Sequence, residues 1–181
     1  MMANIKSTEI EDIYPLSPMQ QGMLFHSLYS PDAGMYADQF NCILEGELNV
    51  AAFEKAWNDV IQRHAVLRTS FEWEDLEEPL QIVHRSVDFR INQLDLRTLS
   101  KSAQGVALQE HLNFDIDQGF DLHRPPLMRL ALLRTGEIEY RLVWSNHHLL
   151  FDGWSLPLLL KEVLEHYEAN LANRELYLKP A

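Results

Sequence analysis

Cysteine is almost missing from this chain of 181 residues. Cys42 stands alone, which excludes an internal disulfide and a cysteine-based zinc site. Positive charge is also scarce: 15 Lys and Arg face 27 Asp and Glu, a formal net charge of −12. Nucleic acid and anionic membrane surfaces both demand clustered cations, so neither is expected as a partner. No apolar run approaches the roughly 18 residues that a membrane helix needs. Residues 1–6 do not lead into the apolar core of a signal peptide. Repeats, low-complexity tracts and Gly/Ser linkers are missing too, so nothing divides the chain into two domains. What is present suits a packed fold, with 46% apolar and 10% aromatic residues. A chain this long can bury roughly two-thirds of its unfolded surface. The expectation is one soluble, cytoplasmic, globular unit.

Along the chain, residues 1–12 are polar and are expected to be loose up to Tyr14-Pro15-Leu16. Ser17-Pro18-Met19-Gln20 reads as a helix start, with Ser17 as N-cap, Pro18 in the first helical position and Gln20 completing a capping box. Met19, Met23, Leu24 and Leu28 would give that helix an apolar stripe. A strand is expected over 36–46. Asn49 then caps a second helix, whose Phe53, Trp57, Val60 and Ile61 share one face. Leu67, Thr69, Phe71 and Trp73 alternate with Arg68, Ser70 and Glu72, the period of a half-buried strand. An acidic turn at 74–78 precedes short strands near 80–84 and 87–94, and a helix covers 99–113. The apolar run Leu127–Leu133, the turn Thr135-Gly136 and the alternating Tyr140, Leu142, Trp144 make a β-hairpin. A last apolar helix tolerates Pro157 in its first turn. The pattern is α+β, with helices packed on a mixed or antiparallel sheet.

The segment with chemical content is Ser145-Asn146-His147-His148-Leu149-Leu150-Phe151-Asp152-Gly153-Trp154-Ser155. Neighbouring residues of an extended segment point to opposite sides, so one imidazole can face a cavity while the other faces the interior. The same geometry argues against both rings chelating one metal ion, and no HExxH or Cys/His spacing supports a metal. A histidine near neutrality suits proton transfer from an attacking amine or hydroxyl. The plainer reading is two core histidines followed by an ordinary Asp-Gly turn. His26 on the first helix can approach the same region, or lie in the surface or core. His64, His84, His111, His123 and His166 have no sequence partners that suggest chemistry, and Cys42 reads as core.

That segment resembles the HHxxxDG motif of the condensation domains of nonribosomal peptide synthetases. Three further stretches agree in order and rough spacing. Residues 14–26 (YPLSPMQQGMLFH) resemble the family's opening motif. Residues 63–71 (RHAVLRTSF) resemble its RHxxLRTxF motif, with Ala65 where an acidic residue is common. Phe120-Asp121-Leu122 through Pro126-Leu127-Met128-Arg129 is similar to the stretch before the motif hairpin.

The resemblance implies a chloramphenicol-acetyltransferase-like lobe over residues 13–181, the N-terminal subdomain of a two-lobe domain whose C-terminal subdomain is absent. It implies that His148 is catalytic, acting on the amine of an acceptor aminoacyl thioester that attacks a donor thioester. His147 takes a structural role. Asp152 would shape the site through an arginine, with Arg63 and Arg68 as the candidates. Gly153 would permit a tight turn and offer its N–H to an oxyanion. Trp154 would pack or line the channel, and Ser155 would cap a helix. No cofactor is expected on the chain itself, since substrates ride on the phosphopantetheine of carrier proteins. The implied partners are upstream donor and downstream acceptor carrier domains, the missing lobe and a downstream adenylation domain. If Met1 is the native start, the donor carrier arrives from another polypeptide. The opening motif resembles variants that take a D-configured donor. Cyclisation domains replace both histidines with aspartate and are set aside. An epimerisation domain, which shares HHxxxDG, and a non-catalytic carrier-docking module are the alternatives. The lobe alone is expected to be inactive or nearly so.

Overall fold

The computed structural model describes residues 9–29 and 36–179. The elements run β1 (Ile10–Pro15), α1 (Pro18–Tyr29), β2 (Ala37–Glu45), α2 (Val50–Arg63), a 3-10 turn (Ala65–Arg68), β3 (Thr69–Glu72) and β4 (Leu80–His84). They continue with β5 (Asn92–Asp95), α3 (Lys101–Asp117), β6 (Met128–Arg134), β7 (Glu139–His147) and α4 (Ser155–Leu171). They form an antiparallel three-stranded sheet in the order β1-β4-β3 and a four-stranded sheet in the order β2-β7-β6-β5. Among the described residues only the β5–β6 pairing is parallel.

The larger sheet is covered on both faces, which explains the unbroken apolar run of β6. Leu130 and Leu132 face the main core with Leu142 and Trp144 of β7, Phe53, Trp57 and Val60 of α2, and Leu159 and Val163 of α4. Ala131, Leu133 and Val143 point the other way, onto Ala107, Leu108 and Leu112 of α3. The two-residue period of a strand thus sorts one sequence run into two separate cores. Trp57 and Trp144 meet edge to face at the centre, with ring centroids 4.8 Å apart.

Local chemistry sets the helix starts. Ser17 Oγ accepts from Gln20 N at 3.3 Å while Gln20 Oε1 accepts from Ser17 N at 3.0 Å, a reciprocal capping box. Asn49 caps α2 by accepting from Ala52 N at 3.0 Å, and Ser100 caps α3 by accepting from Ala103 N at 3.3 Å.

Several expectations need correction. Strand β1 begins at Ile10, inside the stretch expected to be loose, because its backbone pairs with β4; residues 1–8 of that stretch lie outside the described residues. Of the supposed buried stripe on α1 only Leu24 is buried, and Met19 is 71% exposed. Leu67 and Arg68 belong to a 3-10 turn rather than a strand, and β3 is buried on both faces at Thr69, Ser70 and Phe71. The strand near 87–94 is confined to 92–95, and α3 runs on to Asp117.

Because Trp57 is fully buried against Trp144, Phe53 and Phe89, Trp57→Ala should remove about 3–5 kcal/mol of stability. Urea unfolding followed by circular dichroism measures it, and a loss below about 1 kcal/mol would contradict the packing described.

Candidate active site

Strand β7 ends at the histidine pair, and the sheet registers both residues. His147 N donates to Leu127 O at 3.0 Å, and His148 N donates to Tyr36 O at 2.7 Å. Tyr36 holds a left-handed backbone (φ 70°), unusual for a residue with a Cβ. The chain then turns tightly, with Leu150 N donating to His147 O at 3.1 Å. Leu149 and Leu150 are buried and anchor the turn. Gln20 Nε2 on α1 donates to Leu149 O at 3.0 Å, which ties the first helix to the loop after the histidines.

The two imidazoles part company. His147 is 5% exposed. Its Nδ1 accepts from Leu149 N at 3.1 Å, so the neutral ring carries its proton on Nε2. Phe120 packs edge-on to it at 6.2 Å between centroids. Burial, with a smaller contribution from the charge of His148, pushes its pKa down to about 4. His147 is therefore a neutral framework group at physiological pH.

The His148 side chain is 31% exposed, and its Nε2 lies 2.8 Å from Asp38 Oδ2. Asp38 sits on β2 opposite Asn146, two residues before His148, so a cross-strand diagonal joins the carboxylate to the ring. The next residue, Gln39, turns to the other face, where its amide reaches Ser145 Oγ at 3.1 Å and Asp115 Oδ2 at 3.3 Å. Tyr36 completes the cluster, its ring 6.5 Å from those of both His148 and His26. An imidazole presented this way, beside a carboxylate, can exchange a proton with an incoming group. Among the described residues no group of three or more His, Cys, Asp or Glu side chains is placed to hold a metal ion. A cavity of about 330 Å³ does occur under α3, lined by Phe89, His111, Phe114 and Arg129 among others, but no residue of the histidine motif lines it.

The sequence from residue 10 to 181 matches the family model described as "Condensation domain". This chain belongs to the condensation-domain family. It is 48% identical over 173 residues to a component of the linear gramicidin synthase of Brevibacillus parabrevis, covering 96% of this chain and 2% of that protein. It is 41% identical over 172 residues to bacitracin synthase 3 of Bacillus licheniformis, covering 94% of this chain and 3% of that one. The chain thus spans only a small part of the curated relatives it matches. The starter condensation domain of the rhizomide synthetase RzmA is 25% identical, with a TM-score of 0.81 over 94% of this chain and 41% of that one. The first condensation domain of the CDA synthetase is similar in fold alone, at 17% identity and a TM-score of 0.83, over 93% of this chain and 42% of its own.

Within this condensation-domain chain, the expected Asp152–arginine pair is not formed. Asp152 Oδ1 accepts from Trp154 N at 3.1 Å, Ser155 N at 3.2 Å and Ser155 Oγ at 3.1 Å, so it caps α4. Ser155, expected to be the cap, is a donor to it. Arg63 instead bonds Glu162 Oε2 at 3.1 Å and the Lys179 carbonyl. Arg68 is buried and bonds Ile61 O, Glu11 Oε2 and the His84 carbonyl, which clamps α2 to the smaller sheet. Both guanidiniums are thus held by acceptors other than Asp152. Gly153 is not required by the turn: its backbone lies outside the left-handed region, and a Cβ there would meet nothing within 4 Å. Trp154 is 87% exposed rather than packed. His64, His84, His123 and His166, which lacked partners in sequence, pair with Glu162, Ser70, Glu72 and Asp59 respectively. Sequence reasoning missed Tyr36, Asp38 and Gln20 as neighbours of the site; the strand register that gathers the first two carries no local signal.

Two outcomes follow from these roles. Unfolded His147 titrates near 6.5 and the folded residue near 4, so between those values the unfolded chain holds a proton that the folded chain refuses. Stability should fall as pH drops through that window, by about 3 kcal/mol in all, and level off below it. Denaturant titrations at several pH values should show a flatter profile for His147→Asn, which keeps an acceptor for Leu149 N. Asp152→Ala should cost about 1 kcal/mol and Asp152→Asn much less, because an amide oxygen still caps. Equal damage from both substitutions would argue for a charge pair instead of a cap.

Proposed function

We propose that this chain is the N-terminal lobe of a nonribosomal peptide synthetase condensation domain, and that His148 is its catalytic residue. The observation that carries this reading is the contrast between the rings: His147 is sealed and neutral, while His148 stands at the open end of the β2–β7 ladder with Nε2 beside Asp38. In the reaction, the acceptor amine nitrogen attacks the donor thioester carbonyl. His148 takes a proton from that nitrogen, the C–N bond forms, the C–S bond breaks, and the donor carrier's thiol leaves with a proton. Because a thioester is already activated, holding two tethered substrates together supplies much of the rate. Gly153, at the exposed opening of α4, is the donor we assign to the oxyanion.

The same reading makes residues 13–181 one of two lobes. Met19, Phe25 and Tyr29 of α1 and Trp154 are all exposed, apolar surface that a second lobe could cover. A one-sided cleft neither orients two substrates nor excludes water, so the lobe alone is inactive or nearly so. Trp154 and His26 would line the channel once the second lobe covers them. The phosphopantetheine arms of upstream and downstream carrier domains bring the substrates, an adenylation domain follows downstream, and the setting is cytoplasmic.

Intact-mass spectrometry of loaded donor and acceptor carriers tests this. A form extended through the second lobe should yield a carrier-bound dipeptide, the short chain should yield none, and His148→Ala should cut the rate by about 10²-fold or more. Product from the short chain would sink the two-lobe account. Racemised donor without any dipeptide would favour an epimerisation domain. Unchanged condensation in a well-folded His148→Ala variant would remove His148 from the chemistry, and loss of carrier binding in that variant without any effect on chemistry would favour a docking module.

A further inference from the structure

We propose that Asp38 is a binding residue for the acceptor's α-ammonium group, a second polar contact of the site beside His148. The inference rests on the condensation reading above. Asp38 sits on the face of β2 that looks toward His148, with its side chain 51% exposed and Oδ2 at 2.8 Å from His148 Nε2. Among the described residues no arginine or lysine lies within ion-pair distance of Asp38, and His148 is its one ionic partner. A carboxylate at the mouth of a reaction site, without a permanent counter-ion from its own fold, is a ready seat for an incoming cation.

The reaction brings one cation to His148. An aminoacyl thioester carries its α-amine as an ammonium until a proton is lost. An ammonium nitrogen has three donors, so it can take the place of the imidazole N–H that donates to Asp38 Oδ2 across 2.8 Å. One N–H then goes to Asp38 Oδ2 and a second points at His148 Nε2, in the tautomer whose proton lies on Nδ1; Nε2 takes that proton, the freed lone pair attacks the thioester carbonyl, and the nitrogen's second proton leaves with the departing thiol. The carboxylate then lies against the imidazolium just formed, as in other His–carboxylate pairs. Asp38 stays ionised throughout: the first proton moves from nitrogen to nitrogen, and the second ends on sulfur. The backbone supports the placement: the Tyr36 carbonyl fixes His148 N at 2.7 Å, two residues from Asp38 along the same strand edge.

The test compares two unreactive acceptor mimics on the whole two-lobe domain. One is L-alanyl pantetheine with the thioester sulfur replaced by NH, and the other is its lactyl counterpart, in which a hydroxyl replaces the amine. Binding is read by NMR titration. The unsubstituted domain should bind the amine form about tenfold or more tightly than the hydroxyl form. Asp38→Asn should abolish that preference while leaving affinity for the hydroxyl mimic unchanged, and Asp38→Glu should keep part of it. In turnover, the KM for a soluble aminoacyl acceptor should rise in Asp38→Asn while saturation by the donor stays the same. An amine preference that survives Asp38→Asn, or a domain that never prefers the amine, overturns the proposal. Failure of the unsubstituted domain to make dipeptide would overturn the condensation reading instead, since the binding comparison needs no turnover.

Discussion

The antiparallel register of β2 on β7 is the constraint on which the site depends. Ala37 lies opposite His147 and Asp38 opposite Asn146. Shifting that pairing by one residue would exchange the two faces of β2. Gln39 would lose Ser145 and Asp115, and Asp38 would turn away from His148. The register is held by burial on both sides of the sheet: Trp144 and Leu142 lock one face into the main core, and Val143 locks the other beneath α3. Packing far from the histidines therefore decides which groups surround them.

Adjacent histidines receive opposite environments from the same backbone. Alternation sends His147 inward, where desolvation keeps it uncharged and Leu149 N uses its Nδ1. It leaves His148 at the boundary with solvent, next to a carboxylate. A neutral buried ring costs little, whereas charging it would carry the desolvation penalty of burial. The cap formed by Asp152 serves the same region mechanically, by fixing where α4 starts after the loop.

Features encoded within a few residues were legible in the sequence: the Ser17/Gln20 capping box, the Asn49 cap and the Thr135-Gly136 hairpin all stand where spacing places them. The alternating core residues of β6 and β7 were equally plain. What failed was whatever depends on distant partners. Arg68 looked like the outward member of an alternating strand, yet the 3-10 turn before β3 rotates it into the interior, where Ile61 O, Glu11 and the His84 carbonyl satisfy it. Asp38 gave no sign of its position beside the histidines because its neighbour His148 lies far along the chain. Resemblance marked the histidine pair, but an Asp-Gly turn after it reads alike whether the carboxylate caps a helix or meets an arginine.

Gln20 carries a further consequence. Its Oε1 accepts from Ser17 N and from Gln81 Nε2, while its Nε2 donates to Gln81 Oε1 and to Leu149 O. Gln81 is buried on β4 and also donates to Pro15 O at 3.3 Å. One side-chain amide thus joins the first helix, the smaller sheet and the loop after β7. The two sheets are distinct in their backbone pairing, but this junction links them: a single amide holds β4 and the start of α1 to the carbonyl of Leu149, the residue next to His148.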